Sequence, residues 1–242
     1  MSEFKMPTEI VELPSKGLIY PEDNPLSSGK VEMKYMTAKE EDILTNQSYI
    51  QKGIVVDKLL QALIVTKINY DDLITGDKNA ILIAARVLGY GGDYSFEYAG
   101  RPYTVDLATL ENKEFDDSLY NKGENNFSFE LPSTGIPITF KLVTGKDEKA
   151  IDRELAGLKK LNKENSSELT TRLKHIITSV DGDSESKTIR NFVDTHLLAR
   201  DSRALREYIR QIQPDVEMSF IPEGEDTPIT VPMTANFLYP DI

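Results

Sequence analysis

Thr37-Ala38-Lys39-Glu40-Glu41 recurs 107 residues later as Thr144-Gly145-Lys146-Asp147-Glu148. In both copies a threonine stands three residues before an acid. This is the spacing of a capping box, in which the hydroxyl caps the third helical amide and the carboxylate reaches back to the threonine. Immediately upstream, Val31, Met33 and Tyr35 alternate with Glu32 and Lys34, as Ile138, Phe140 and Leu142 alternate with Thr139 and Lys141. That two-residue period marks half-buried strands. Strand then helix start, twice at one offset, predicts a divergent duplication. The paired acids are therefore explained as helix starts and not as catalytic groups.

Working outward, Leu13-Pro14-Ser15-Lys16-Gly17 returns as Leu131-Pro132-Ser133-Thr134-Gly135, a turn ahead of each strand. Beyond the first helix start, Val56, Leu59, Leu60, Leu63 and Ile64 form a helical stripe, matched by Leu169, Leu173, Ile176 and Ile177. Asp77 opens a helix that is apolar nearly all round and stops at Gly89-Tyr90-Gly91-Gly92, where glycine favours termination. Asp201 opens its counterpart, running through Leu205, Tyr208, Ile209 and Ile212 to a stop before Pro214. The offset has grown to 124, which implies an insertion of about 17 residues, with an extra helix around Ile189, Phe192 and Val193. A hairpin closes each half: Tyr94, Phe96 and Tyr98 return through Tyr103, Val105 and Leu107, and Val216, Met218 and Phe220 through Ile229, Val231 and Met233. His175 and His196 read as packed histidines. The expected class is α+β, with two tandem domains of strand, helices and hairpin. The expected divisions are an extended, proline-rich arm over residues 1–29, a first repeat over 30–110, a polar linker over 111–125, and a second repeat over 126–242.

Composition narrows the function. The chain has 242 residues, 39% hydrophobic and 28% charged, long enough to bury a working core. A net charge of −12 argues against sequence-independent nucleic-acid binding and against an anionic membrane surface. No apolar run approaches the ~18 residues of a spanning helix, and the N-terminus lacks the apolar core of a signal peptide, so the chain reads as soluble and unexported. There are no cysteines and two histidines, which leaves little for a thiolate or histidine metal site. No cofactor and no metal are expected.

Motifs for chemistry are missing as well. Gly89-Tyr90-Gly91-Gly92 follows a helix instead of opening one, so it is no phosphate loop. Gly-x-Ser-x-Gly and His-Glu-x-x-His do not occur. Asp181-Gly182-Asp183-Ser184-Glu185 lacks the spacing of an EF-hand loop and reads as an exposed turn. With 40 acids in the chain, no particular pair marks a hydrolase, and no catalytic residue is assigned.

Taken in order, Leu-Pro-Ser-Lys-Gly with Tyr20, Met36-Thr37-Ala38-Lys39-Glu40-Glu41, Asp77 leading to Arg86 and Tyr90-Gly91, and the closing Asn236-Phe237-Leu238-Tyr239-Pro240 resemble the T-even-type bacteriophage baseplate protein family. These are the hub subunits and hub-assembly proteins of contractile tails. The resemblance runs over nearly the whole chain and rests on order and spacing. It implies a non-enzymatic protein whose partners are other baseplate or hub proteins, in the virion and in the host cytoplasm during assembly. Permanent component and transient chaperone both fit it, and oligomerisation within the hub stays open. A hydrolase using clustered acids is the reading from another class. Relatives with a paired-cysteine turn imply metal, but here the hairpin turns are Ala99-Gly100-Arg101 and Pro222-Glu223-Gly224, so no metal carries over. The expected partner-binding residues are Phe4, Leu18 and Tyr20 on the arm, ordering on a neighbour, and the Arg200, Arg203, Arg206 and Arg210 run at helical spacing.

Overall fold

The structure, a computed structural model, describes residues 7–161, 167–233 and 237–238. Strand β1 (Thr8–Glu12) runs antiparallel to β2 (Lys30–Lys34), setting Val11 opposite Val31 and Glu9 opposite Met33. Helices α1 (Ala38–Leu44), α2 (Gln47–Gln51), α3 (Val55–Leu63) and α4 (Thr75–Tyr90) follow, then the hairpin of β3 (Asp93–Tyr98) and β4 (Arg101–Asp106). In the second half β5 (Phe127–Glu130) pairs with β6 (Pro137–Phe140), and α5 (Gly145–Leu161) and α6 (Glu168–Ile176) lead to β7 (Ile177–Val180) on the other edge of β6. Helices α7 (Ser186–Thr195) and α8 (Ala199–Ile212) precede a short pair, β8 (Ser219–Phe220) with β9 (Ile229–Thr230). The fold is α+β, with helices packed among small, separate antiparallel sheets.

The two helix starts form as the spacing requires. Glu40 accepts from the backbone amide and the hydroxyl of Thr37 and from Lys34 Nζ at 2.9 Å. Asp147 accepts from the same two groups of Thr144 and from Lys141 Nζ at 2.6 Å. The lysine is the last residue of β2 in one case and the residue just after β6 in the other, so strand and helix are pinned at their junction. Glu40 is buried, while Lys34 is half-buried beside it. Burial pushes its carboxyl up, but the bonds from Lys34 and Thr37 outweigh that and hold it at about 2.

Residues 7–29 are not an extended arm. The prolines exclude α-helix and leave one short 3-10 turn at Pro25–Ser28, yet the chain folds back in consecutive turns whose amides find carbonyls nearby, Lys16 on Leu13, Leu18 on Ser15 and Tyr20 on Gly17. Because the backbone is satisfied, it can be buried: Leu13, Ile19, Tyr20 and Leu26 belong to the core. Gly17 and Gly29 lie in the left-handed region where the two turns cross, and a Cβ on Gly17 would stand 2.4 Å from the carbonyl oxygen of Ser27.

Nor do residues 111–125 hang free as a linker. Tyr120 is buried between Phe115 and Phe127 and donates to the carbonyl of Ile212 at 2.5 Å, while Gly123 donates to the carbonyl of Leu18. One hydrophobic core runs through both halves. At their joint the amide of Gly145 donates to Leu73, Lys149 pairs with Asp71 at 2.6 Å, and a Cβ on Gly76 would fall 1.9 Å from the carbonyl oxygen of Pro214. The hairpins also meet, Phe96 edge-on to Phe220 at 6.0 Å and Tyr94 donating to the carbonyl of Pro232.

Ile189, Phe192 and Val193 lie on helix α7, and α5 is far longer than α1. The second hairpin is shorter than the alternation predicts, because Pro222, Pro228 and Pro232 remove ladder donors around it. His175 is half-buried against Glu154, but His196 is not packed in the core: it is exposed at the end of α7, its ring parallel to Phe192. Asp183 accepts from the amide of Glu185 and from Thr188, which makes Asp181–Glu185 the turn that starts α7. Among the described residues no helix is long and apolar enough to cross a membrane.

Candidate interaction surface

Each principal helix begins around a buried aspartate. Asp77 is the third residue of α4 and Asp201 the third of α8. Asp77 accepts from the amide and hydroxyl of Ser15, at 2.9 and 2.7 Å, and from the hydroxyl of Tyr20 at 2.6 Å. Tyr20 in turn accepts from the amide of Ile74 at 3.1 Å. Asp201 accepts from the amide of Ser133 and the hydroxyl of Thr134, at 2.7 and 3.0 Å. The repeated Leu-Pro-Ser turn is thus a clasp over a helix N-terminus, where backbone amides and the helix dipole favour negative charge. Burial pushes the Asp77 carboxyl up against its hydrogen bonds. At Asp201 burial also pushes upward, but the bonds from Ser133 and Thr134 win and lower it. These aspartates are framework groups, held by donors with no space left for a substrate.

Of the expected partner-binding residues, Phe4 lies outside the described residues. Tyr20 is corrected: it is buried, its hydroxyl spent on Asp77, and burial with the neighbouring carboxylate pushes that hydroxyl far up. Leu18 is half-buried and packs against the core. Neither is a flexible docking group. The four arginines do share the solvent side of α8, whose opposite side buries Leu205 and Ile212. Arg203 pairs with Glu207 at 2.8 Å, and Arg206 donates to the Ser202 carbonyl. Lys113 donates to the carbonyl of Arg210, adding a cation at the end of the same helix. Arg206, Arg210 and Lys113 border a shallow depression of about 360 Å³, closed on its other side by Asp215 and Glu217.

A second feature is a groove of about 480 Å³ between β1, α4 and the chain after β4. Ala80, Ile83, Ala84 and Val87 of α4 floor it, and Val11 and Leu110 stand at its sides. Glu9, Glu12 and Glu111 also line it, and among the described residues no lysine or arginine does. No sequence motif announces this groove.

A third cluster braces the second half. Glu154 of α5 takes two bonds of 2.7 Å from Arg190 of α7 and one of 2.9 Å from His175 of α6. The Arg190 bonds, against the burial that pushes upward, hold its carboxyl at about 2. Three helices are tied through one carboxylate. Among the described residues no group of three or more His, Asp or Glu gathers as metal ligands would. Compared with protein-family models, curated proteins and solved structures, the chain matches none.

Proposed function

We propose that the chain is a structural or assembly protein of a phage contractile-tail baseplate hub, working through protein contacts and without catalysis. The observation that carries this reading is the face of α8. A chain of net charge −12 turns four arginines to solvent along one helix, with the half-buried Lys113 held against the carbonyl of Arg210 at its end, a surface fitted to an acidic protein partner. The residues behind the resemblance support it from the other direction. Ser15, Tyr20 and Asp77 close one buried cluster, Thr37 and Glu40 fix a helix start, and Arg86 donates to the carbonyls of Gly91 and Asp93. Those side chains serve the framework, leaving the surfaces for function.

The halves, on this reading, are divergent copies: matched strand registers, lysine-held helix starts and clasped aspartates recur at matched places. The test is affinity purification of the tagged chain from phage-infected cells. Baseplate or hub proteins are expected to co-purify, and Arg206→Glu with Arg210→Glu to lose them while the thermal midpoint stays within a few degrees. A wild-type chain that brings down no baseplate protein overturns the proposal. Mass spectrometry of purified virions then separates a permanent component, present in the particle, from a chaperone, absent from it.

A further inference from the structure

The matched halves differ at one place in a way that points to a ligand. In the second half Phe129 of β5 stacks on Tyr208 of α8, ring centroids 4.9 Å apart, filling the space between hairpin and helix. The corresponding residues of the first half follow from the strand registers and the clasped aspartates. Phe129 lies opposite Ile138 as Val11 lies opposite Val31, and Tyr208 follows Asp201 by seven residues as Ala84 follows Asp77. Two aromatic rings are therefore replaced by a valine and an alanine. The space they would occupy is the apolar groove, which both Val11 and Ala84 line.

The groove also has a free strand edge beside it. Leu13 donates to Gly29, so in an antiparallel ladder Val11 and Glu9 exchange bonds with β2, and Thr8, Ile10 and Glu12 direct their backbone groups away from it. Among the described residues no backbone bond outside the β1–β2 ladder uses those three. The rim is acidic: Glu9 and Glu111 stand with Glu12, which Lys30 meets across the hairpin at 2.9 Å. A strand edge with an unfilled apolar hole beneath it and carboxylates around it selects for backbone pairing, an aromatic anchor and positive charge.

We infer that this groove binds an extended segment of a partner protein. The segment adds a strand to β1, inserts an aromatic side chain between Val11 and Ala84, and sets lysines or arginines against Glu9, Glu12 and Glu111. The inference rests on the reading of the chain as a protein-binding component and assigns a site separate from the α8 arginines.

The experiment is a nuclear magnetic resonance titration of the full chain with a synthetic seven-residue probe, a central tyrosine flanked by valines and lysines in alternation. The control probe carries glutamates in place of the lysines. Saturable shifts are expected in the amides of β1 and α4, with a dissociation constant on the order of 0.1–1 mM for so short a segment. Val11→Phe with Ala84→Tyr, which rebuilds the second half's ring pair, is expected to abolish the shifts. Glu9→Lys with Glu12→Lys, at exposed positions that leave the core untouched, is expected to weaken the lysine probe at least about tenfold. The inference is overturned if the lysine probe gives no shifts at β1 and α4, or if both probes bind alike. It is also overturned if sedimentation shows the groove closed by a second copy of the chain, released by the same charge reversal. Co-purification of baseplate proteins does not depend on this outcome, so a failed titration and a failed purification are distinguishable.

Discussion

Replacing Asp77 by alanine tests whether the clasp is the keystone of the first half. The carboxylate accepts three bonds, from the Ser15 amide, the Ser15 hydroxyl and the Tyr20 hydroxyl. Ser15 and Tyr20 are both buried, so the Ser15 amide and the Tyr20 hydroxyl cannot turn to water. Two stranded donors at about 1–3 kcal/mol each, and a lost charge at a helix N-terminus worth about 0.5 kcal/mol, give a cost of about 4 kcal/mol. Part of that is offset because removing the carboxylate also removes the cost of burying it, the same cost that pushes its pKa up. Asparagine keeps one acceptor, so Asp77→Asn is expected near half the alanine penalty. Asp201→Ala is the internal control. Its donors sit on Ser133 and Thr134, which are exposed and can rehydrate, so about 1–2 kcal/mol is expected. Urea denaturation followed by circular dichroism reads the midpoints. Asp77→Ala within about 1 kcal/mol of wild type, or Asp201→Ala as costly as Asp77→Ala, refutes the reasoning.

Two further perturbations reach other parts of the framework. Gly76→Ala adds a favourable residue to a helix, worth about 1 kcal/mol in isolation, yet its Cβ would stand 1.9 Å from the Pro214 carbonyl oxygen, so a net loss of about 2–3 kcal/mol is expected in the same denaturation assay. Glu40 is held at about 2 against an ordinary 4.5, so its contribution is present above pH 4.5 and is lost as the pH falls toward 2. Glu40→Gln is expected to remove on the order of 3 kcal/mol at neutral pH and to flatten the acid limb of a stability-against-pH curve between those values.

Elements set by local chemistry were legible in the residues alone. The two-residue alternation located β2, β3, β4 and β6, and the threonine-to-acid spacing located the starts of α1 and α5. Contacts across long separations were not legible. Pro7, Pro14, Pro21 and Pro25 rule out α-helix, which suggests an exposed arm. Only the structure shows each turn's amides satisfied and the turns carried into the core by Leu13, Ile19 and Leu26. The arginine run was readable because helical periodicity fixes a face. The groove was not, since it consists of missing side-chain volume. The offset of 124 sets Ala84 against Tyr208, but only the strand registers set Val11 against Phe129.

The one small-residue change inside the repeated stretch, Ala38 against Gly145, follows from the joint between the halves. Both residues open a helix after a threonine, and in isolation alanine is the better helix former by about 1 kcal/mol. Ala38 faces solvent and keeps that advantage. Gly145 instead donates its amide to Leu73, beside the bridge of Ile74 with Thr144, and a Cβ there would lie 3.2 Å from Cα of Asp71. The same backbone of Asp71 positions the carboxylate that holds Lys149. The stretch at 144–148 therefore does two things, starting α5 and receiving the first half, and its glycine gives up helix propensity for close approach. Differences between the halves thus have distinct physical meanings. At 38 and 145 the smaller residue admits the chain's own backbone. At 11 and 84 the smaller residues leave a hole that nothing among the described residues of the first half fills.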